Sequence, residues 1–169
     1  MSRTLYLMRH AKSDWNTGAE HDFERPLNSR GTDDAAKMGR WMASTGLRPE
    51  RITASTALRV WQTVTSVCRE IDFPMEAIEF DRRLYLANCA VLCSLIADTA
   101  GNIESQLVVA HNPGMEELLR HLLGDATPSP SDGKIMPTAA LYALELPNEW
   151  SSLARGEARL LASQRPRAL

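Results

Sequence analysis

Along the chain the apolar residues shift between a two-residue and a helical rhythm, and the shifts divide it into alternating strands and helices. Residues 4–8 gather apolar side chains in a short run and predict a first strand. A polar loop follows from residue 9 to about residue 31, carrying Pro26 and two glycines. Thr32 suits an N-cap, with Asp33 and Asp34 in the first turn, where the helix dipole favours acids. Ala35, Met38, Met42 and Thr45 keep helical spacing up to Gly46, a natural stop. Residues 51–54 predict a second strand, ending at Ser55. Trp61, Val64, Cys68 and Ile71 place one apolar stripe on a second helix, closed by Pro74.

Residues 77–80 predict a third strand and residues 90–97 a third helix. Residues 106–110 form a strongly apolar fourth strand, followed at once by His111-Asn112-Pro113-Gly114 and by a helix over 115–123 that Gly124 ends. Pro, Ser and Asp mark residues 126–137 as a loop. Residues 138–146 and 157–162 predict two late antiparallel strands, and the closing RPRAL is expected to fray. Strands alternating with helices predict an α/β fold, a three-layer α/β/α sandwich on a mostly parallel sheet with a late antiparallel strand. In such sheets ligands bind at the carboxyl ends of the strands. Three segments begin there: Arg9-His10, the stretch from Ser55 to Thr63, and His111-Asn112.

Bulk properties narrow the function. The length of 169 residues predicts one domain, 1–169, with a single sizeable core. A net charge of −2 gives no footprint for nucleic acid, and no Lys/Arg run marks a membrane surface. Anion selectivity must then come from a local cluster of cations. No stretch approaches the ~20 apolar residues of a membrane span. The N-terminus meets charge too early for a signal-peptide core, so a cytoplasmic location is expected. Cys68, Cys89 and Cys93 are odd in number and lack companions, so they predict neither a disulfide framework nor a zinc site. Cys89 and Cys93, one helical turn apart, read as small helix-face residues.

A lone histidine at a strand end is usually structural, but Arg9 beside His10 pairs a nucleophile with an anion-holding guanidinium. His111 stands at the equivalent place after another strand, and a parallel sheet would bring the two ends together. Arg59, one turn into a helix that starts at a strand end, would alone read as a solvated surface cation. Two Arg and two His converging suits phosphoryl transfer, where the protein positions groups and balances charge on the equatorial oxygens. Guanidiniums do so without a metal or other cofactor. A neutral imidazole can attack phosphorus in line, while a second one, protonated, adds a charge-assisted hydrogen bond. Attack needs a free ring lone pair, so a carbonyl must hold the other ring N–H.

Arg9-His10-Ala11-Lys12-Ser13 resembles the RHG or RHA signature of the histidine phosphatase superfamily, related to phosphoglycerate mutases. Asn16 falls where many relatives read RHGxSxxN. Arg25-Pro26-Leu27-Asn28-Ser29-Arg30-Gly31 is similar to the LxxxG segment before the first helix. Ser55-Thr56-Ala57-Leu58-Arg59 with Gln62-Thr63 is similar to SxxxRxxQT, and Val109-Ala110-His111 to the closing V(A/S)H motif. The HNPG form and the short chain resemble the SixA-type phosphohistidine phosphatases most. The resemblance spans residues 4 to about 124, in the family's order.

That resemblance implies a phosphoglycerate mutase-like fold and a metal-independent phosphatase in which His10 becomes phosphorylated. Arg9, Arg59 and His111 would complete the phosphate pocket, with Asn16 and Arg25 as further substrate contacts; Arg25 serves equally well as a loop anchor. Mutase-like relatives carry a Glu general acid after the third strand. Here the region reads EFDRRLYLAN, and neither Glu79 nor Asp81 sits in an alignable motif. Asp81 is the weak candidate for an acid. A phosphoramidate leaves readily once protonated, so a missing acid tilts the substrate towards phosphohistidine and away from mutase chemistry. Larger relatives also insert a cover after the second helix, whereas a strand and a helix fill the stretch between Ile71 and Gln106 here. An open pocket would admit a phosphorylated side chain of another protein. A sugar or nucleotide phosphatase is the second reading, and a phosphohistidine-binding protein without turnover the third. An intact nucleophile speaks against the third.

Overall fold

The computed structural model describes all 169 residues. Six strands form one sheet: β1 (Arg3–Arg9), β2 (Arg51–Ala54), β3 (Glu79–Phe80), β4 (Ser105–Ala110), β5 (Leu141–Leu146) and β6 (Arg159–Gln164). Their order is β3-β2-β4-β1-β5-β6. The first four are mutually parallel, and β5 runs antiparallel to both β1 and β6. Four helices cover the faces: α1 (Ser29–Thr45), α2 (Leu58–Ile71), α3 (Cys89–Ala97) and α4 (Gly114–Leu123).

Period-two alternation builds both cores. Tyr6 and Met8 of β1, with Leu107 and Val109 of β4, face α1 and α2. Leu5 and Leu7, with Val108 and Ala110, face α3 and α4. Burying both faces explains why β1 and β4 read as near-continuous apolar runs. The three-layer arrangement is the one the alternation predicts.

Several local expectations are corrected. The cap of α1 is Asn28, whose side chain accepts from the Gly31 amide at 2.8 Å, so the helix starts a turn before Thr32. Asp33 and Asp34 therefore lie beyond the first turn. Asn28 caps as well as Thr and stands earlier, so the helix takes the first good cap. On α2 the buried stripe runs through Val60, Val64, Val67, Cys68 and Ile71, while Trp61 turns outward, 47% exposed. β3 keeps only two residues, because Ala77 belongs to a 3-10 turn. β5 begins at Leu141: Ala139 sits at φ 63° and turns the chain just before the strand. The tail does not fray. Residues Pro166–Ala168 form a 3-10 turn with Pro166 buried, and Arg165 binds Asp132 and the Lys134 carbonyl, both at 2.7 Å. A residue count at a chain end cannot reveal such tethers.

Candidate active site

The central pair β1 and β4 sets the site. Arg9 lies opposite Ala110 in the parallel register, and the His10 amide donates to the Ala110 carbonyl at 3.1 Å. His10 and His111 thus leave the sheet side by side, their ring centroids 5.3 Å apart. They share a cavity of about 310 Å³ with Arg9, Arg25 and Arg59. Ser55 follows β2 directly, and Ala57 leads into α2, which delivers Arg59 from its first turn.

Gln62 and Thr63, which close the SxxxRxxQT-like element, act as clamps. Thr63 Oγ1 accepts from the Ala11 amide at 3.0 Å and donates to the Arg59 carbonyl at 2.7 Å. Gln62 Oε1 accepts from the Leu27 amide at 2.8 Å. The loop after His10 is thereby fixed to the helix that carries Arg59. Gly31 completes the packing, since a Cβ there would stand 2.0 Å from the Lys12 carbonyl oxygen. Gly114 does the same for α4, where a Cβ would meet the Ala87 carbonyl oxygen at 1.8 Å.

His10 is buried, and its Nδ1 lies 2.8 Å from the Ala11 carbonyl. That ring nitrogen must donate, which leaves the Nε2 lone pair free. Burial first, and then His111, Arg59 and Arg9, push its pKa down to about 3, against the Ala11 bond. The imidazole is neutral at any ordinary pH. His111 sits with Nε2 2.8 Å from Ser55 Oγ and accepts at Nδ1 from Arg59 at 3.3 Å. Burial and Arg59 lower its pKa to about 3, against the pull of Asp22. It too is neutral at ordinary pH.

Arg59 is 2% exposed, a buried cation and not a solvated one. Its guanidinium donates to the Asp22 carbonyl at 2.7 Å and to Asp22 Oδ2 at 2.9 Å. Arg25 is a lining residue and an anchor at once: it donates to Asp22 and to Ser13 Oγ and lies 3.6 Å over the Trp15 ring. Arg9 gives one N–H to the Met136 carbonyl at 3.2 Å. The buried Nε groups of Arg9 and Arg59 have no partner. Buried donors left unpaired are costly, and an oxyanion would supply acceptors to this cluster.

Asp22 was not foreseen. Burial disfavours its charge, but hydrogen bonds from Tyr85, Arg25 and Arg59 outweigh that and hold its carboxyl far below the usual carboxylate range. Tyr85 donates to it at 2.7 Å. The sequence signal was only its place three residues before Arg25. Asn16 is not brought in: it is exposed, does not line the cavity, and its backbone amide binds Asp14, while neighbouring Trp15 lines the wall. Asp81 caps a 3-10 turn and is paired with Arg83 at 2.7 Å, outside the cavity. Glu79 is held by Arg51 at 2.6 Å. No group of three or more His, Cys, Asp or Glu side chains is placed to hold a metal ion. No helix is long and apolar enough to cross a membrane.

The chain belongs to the histidine phosphatase superfamily, whose branch 1 family model matches residues 5–85. Within it, the chain is 31% identical to the crystal structure of the putative phosphohistidine phosphatase SixA from Agrobacterium tumefaciens, covering 97% of this chain and 98% of that one at a TM-score of 0.80. A protein histidine phosphatase SixA solved in complex with tungstate is 25% identical, with 98% of each chain covered and a TM-score of 0.80. Phosphohistidine phosphatase SixA of Escherichia coli is 27% identical over 73% of this chain and 76% of its own length. The fold is therefore the phosphoglycerate mutase-like one of these neighbours, and the likeness supports phosphatase activity.

Proposed function

We propose that this chain hydrolyses phosphohistidine on proteins, or another activated phosphate, through a covalent phosphohistidine on His10 and without a metal. One observation carries the reading: the cavity offers a neutral imidazole among three guanidiniums, yet its single lining carboxyl group, Asp22, is held ionised. An ionised carboxylate cannot donate a proton to a leaving group, so the substrate must bring a good one. The ring of a protonated phosphohistidine is such a group, because it departs as neutral imidazole.

In the first step His10 Nε2 attacks phosphorus, an N–P bond forms, and the P–N bond to the substrate ring breaks with its electron pair leaving on that ring. Arg9, Arg25 and Arg59 balance charge on the equatorial oxygens. An arriving dianion offsets the burial and the Arg59 charge that keep His111 neutral, so Nδ1 takes a proton from solvent and turns from accepting an Arg59 N–H to donating to the phosphoryl group. Water then attacks phosphorus, an O–P bond forms, the P–N bond to His10 breaks with its electron pair returning to Nε2, and inorganic phosphate leaves carrying the water protons. Trp15, 73% exposed, and Leu86, 57% exposed, line the cavity and suit a side chain presented on another protein.

The test is turnover of a phosphohistidine peptide, p-nitrophenyl phosphate and a sugar monophosphate in buffer with EDTA. Hydrolysis of the first two far above the third is expected, with an acid-labile phosphoryl group trapped on His10. Preference for the sugar phosphate, or no labelled His10, would overturn the reading.

A further inference from the structure

Beside the phosphate cavity lies a second one of about 330 Å³, and Arg9, Lys12 and Thr138 line both. Its walls come from four places: the loop after β1, the start of α1, the loop before β5, and the C-terminal turn. They bring together Arg9, Lys12, Arg30, Lys134, Arg165 and Arg167 against one carboxylate, Asp132. The chain as a whole carries −2, so this concentration of positive charge runs against the average of the surface. Asp132 is already held by Arg165 at 2.7 Å, and Arg30 is paired with Asp34 at 3.4 Å. Lys12, Lys134, Arg167 and Arg9 make no ion pair with any carboxylate of the chain.

Apart from Pro137 and Pro166 every lining residue is charged or polar, and none is aromatic. No ring there would stack on a base, and six cationic side chains dominate the walls, so the chemistry selects for a compact anion. The volume accommodates a carboxylate or phosphate with several waters. Tethering matters as well. Arg9 belongs to both cavities, so an anion in the second stands close enough to be part of the same molecule as a phosphoryl group facing His10.

We propose that this basic pocket is a second anion subsite, which takes a carboxylate or phosphate carried on the same substrate as the scissile phosphoryl group. The inference rests on the reading of the first cavity as a phosphoryl-transfer site. Two sources share the chemistry: acidic side chains flanking a phosphohistidine, and the second phosphate of a small bisphosphate. Binding two anions on one tether raises the effective concentration of the second, so the subsite acts on KM. The C-terminal turn, an ordered element despite its position, is then a wall of the substrate site.

The test uses the Lys134→Ser/Arg167→Ser double variant, whose altered side chains are exposed, unpaired and outside the phosphate cavity. Wild type and variant are compared on matched pairs: a phosphohistidine peptide with Asp/Glu flanks against one with Asn/Gln flanks, and a sugar bisphosphate against its monophosphate. p-Nitrophenyl phosphate, which has one anion only, reports the integrity of the first cavity. For the doubly anionic member of one pair, the variant is expected to raise KM roughly tenfold with kcat little changed. Hydrolysis of p-nitrophenyl phosphate stays as in wild type. The wild-type preference should shrink between ~50 and ~300 mM salt. An effect confined to the bisphosphate pair, with neither peptide cleaved, would keep the subsite and remove phosphohistidine as the substrate. Cleavage of both peptides with equal KM, with no preference for the bisphosphate, would remove the subsite and keep phosphohistidine. Equal loss on p-nitrophenyl phosphate would also overturn the proposal.

Discussion

The two buried histidines make stability depend on pH in a way that can be calculated. Each titrates near 6.5 when the chain is unfolded and near 3 when folded. Below pH 6.5 the unfolded chain takes up protons that the folded one refuses, so stability falls with pH and the loss levels off below about pH 3. Between pH 7 and pH 5 each histidine removes roughly 2 kcal/mol, the pair roughly 4 kcal/mol. That is a large share of the ~5–15 kcal/mol that holds a typical domain together. Urea unfolding at both pH values measures the loss directly, provided the slope with denaturant stays constant. His10→Gln and His111→Gln should each retain only about half of the wild-type pH-dependent loss, whatever they do to absolute stability. If all three proteins lose the same free energy to within ~0.5 kcal/mol, the histidines are not the buried neutral pair described above.

Three further outcomes are expected. Asp22→Asn removes a negative charge that faces the incoming dianion, so inorganic phosphate should inhibit at least ~3-fold more tightly; tenfold weaker inhibition would instead make Asp22 chiefly a support for Arg59. Gly31→Ala should cost at least ~2 kcal/mol of stability by chemical denaturation, because its Cβ meets a backbone oxygen that cannot rotate away; a neutral substitution would mean the Lys12 turn yields freely. Over a series of phosphate esters, rate should fall steeply as the leaving group worsens, with the same slope in wild type and Asp81→Asn. A flat wild-type series that steepens in Asp81→Asn would restore Asp81 as a general acid.

Much of this was legible because strand ends are legible. Short apolar runs named β1, β2 and β4, and the parallel topology then forced Arg9-His10 and His111 to meet. Asp22 and Tyr85 were hidden, since both reach the site from irregular segments where no periodicity applies. Thr63 and Gln62 were visible as letters in a motif, but their work as clamps depends on which backbone groups lie opposite. The cap of α1 was misplaced because Asn28 and Thr32 are chemically equivalent cap residues, and only the position of Lys12 against Gly31 chooses between them. The tethered tail was missed because its partners, Asp132 and Lys134, lie in a distant loop.

The parallel pairing of β1 with β4 also works as a ruler. Adjacent strands stand about 4.8 Å apart, and the two imidazoles inherit that interval, their centroids 5.3 Å from one another. Hydrogen bonds to the Ala11 carbonyl and to Ser55 Oγ then hold the two rings at the places to which the ladder delivers them. A bulge in β1 or β4 would change that spacing at its origin, by moving one histidine along the chain against the other. The gauge of this site is therefore a property of the backbone.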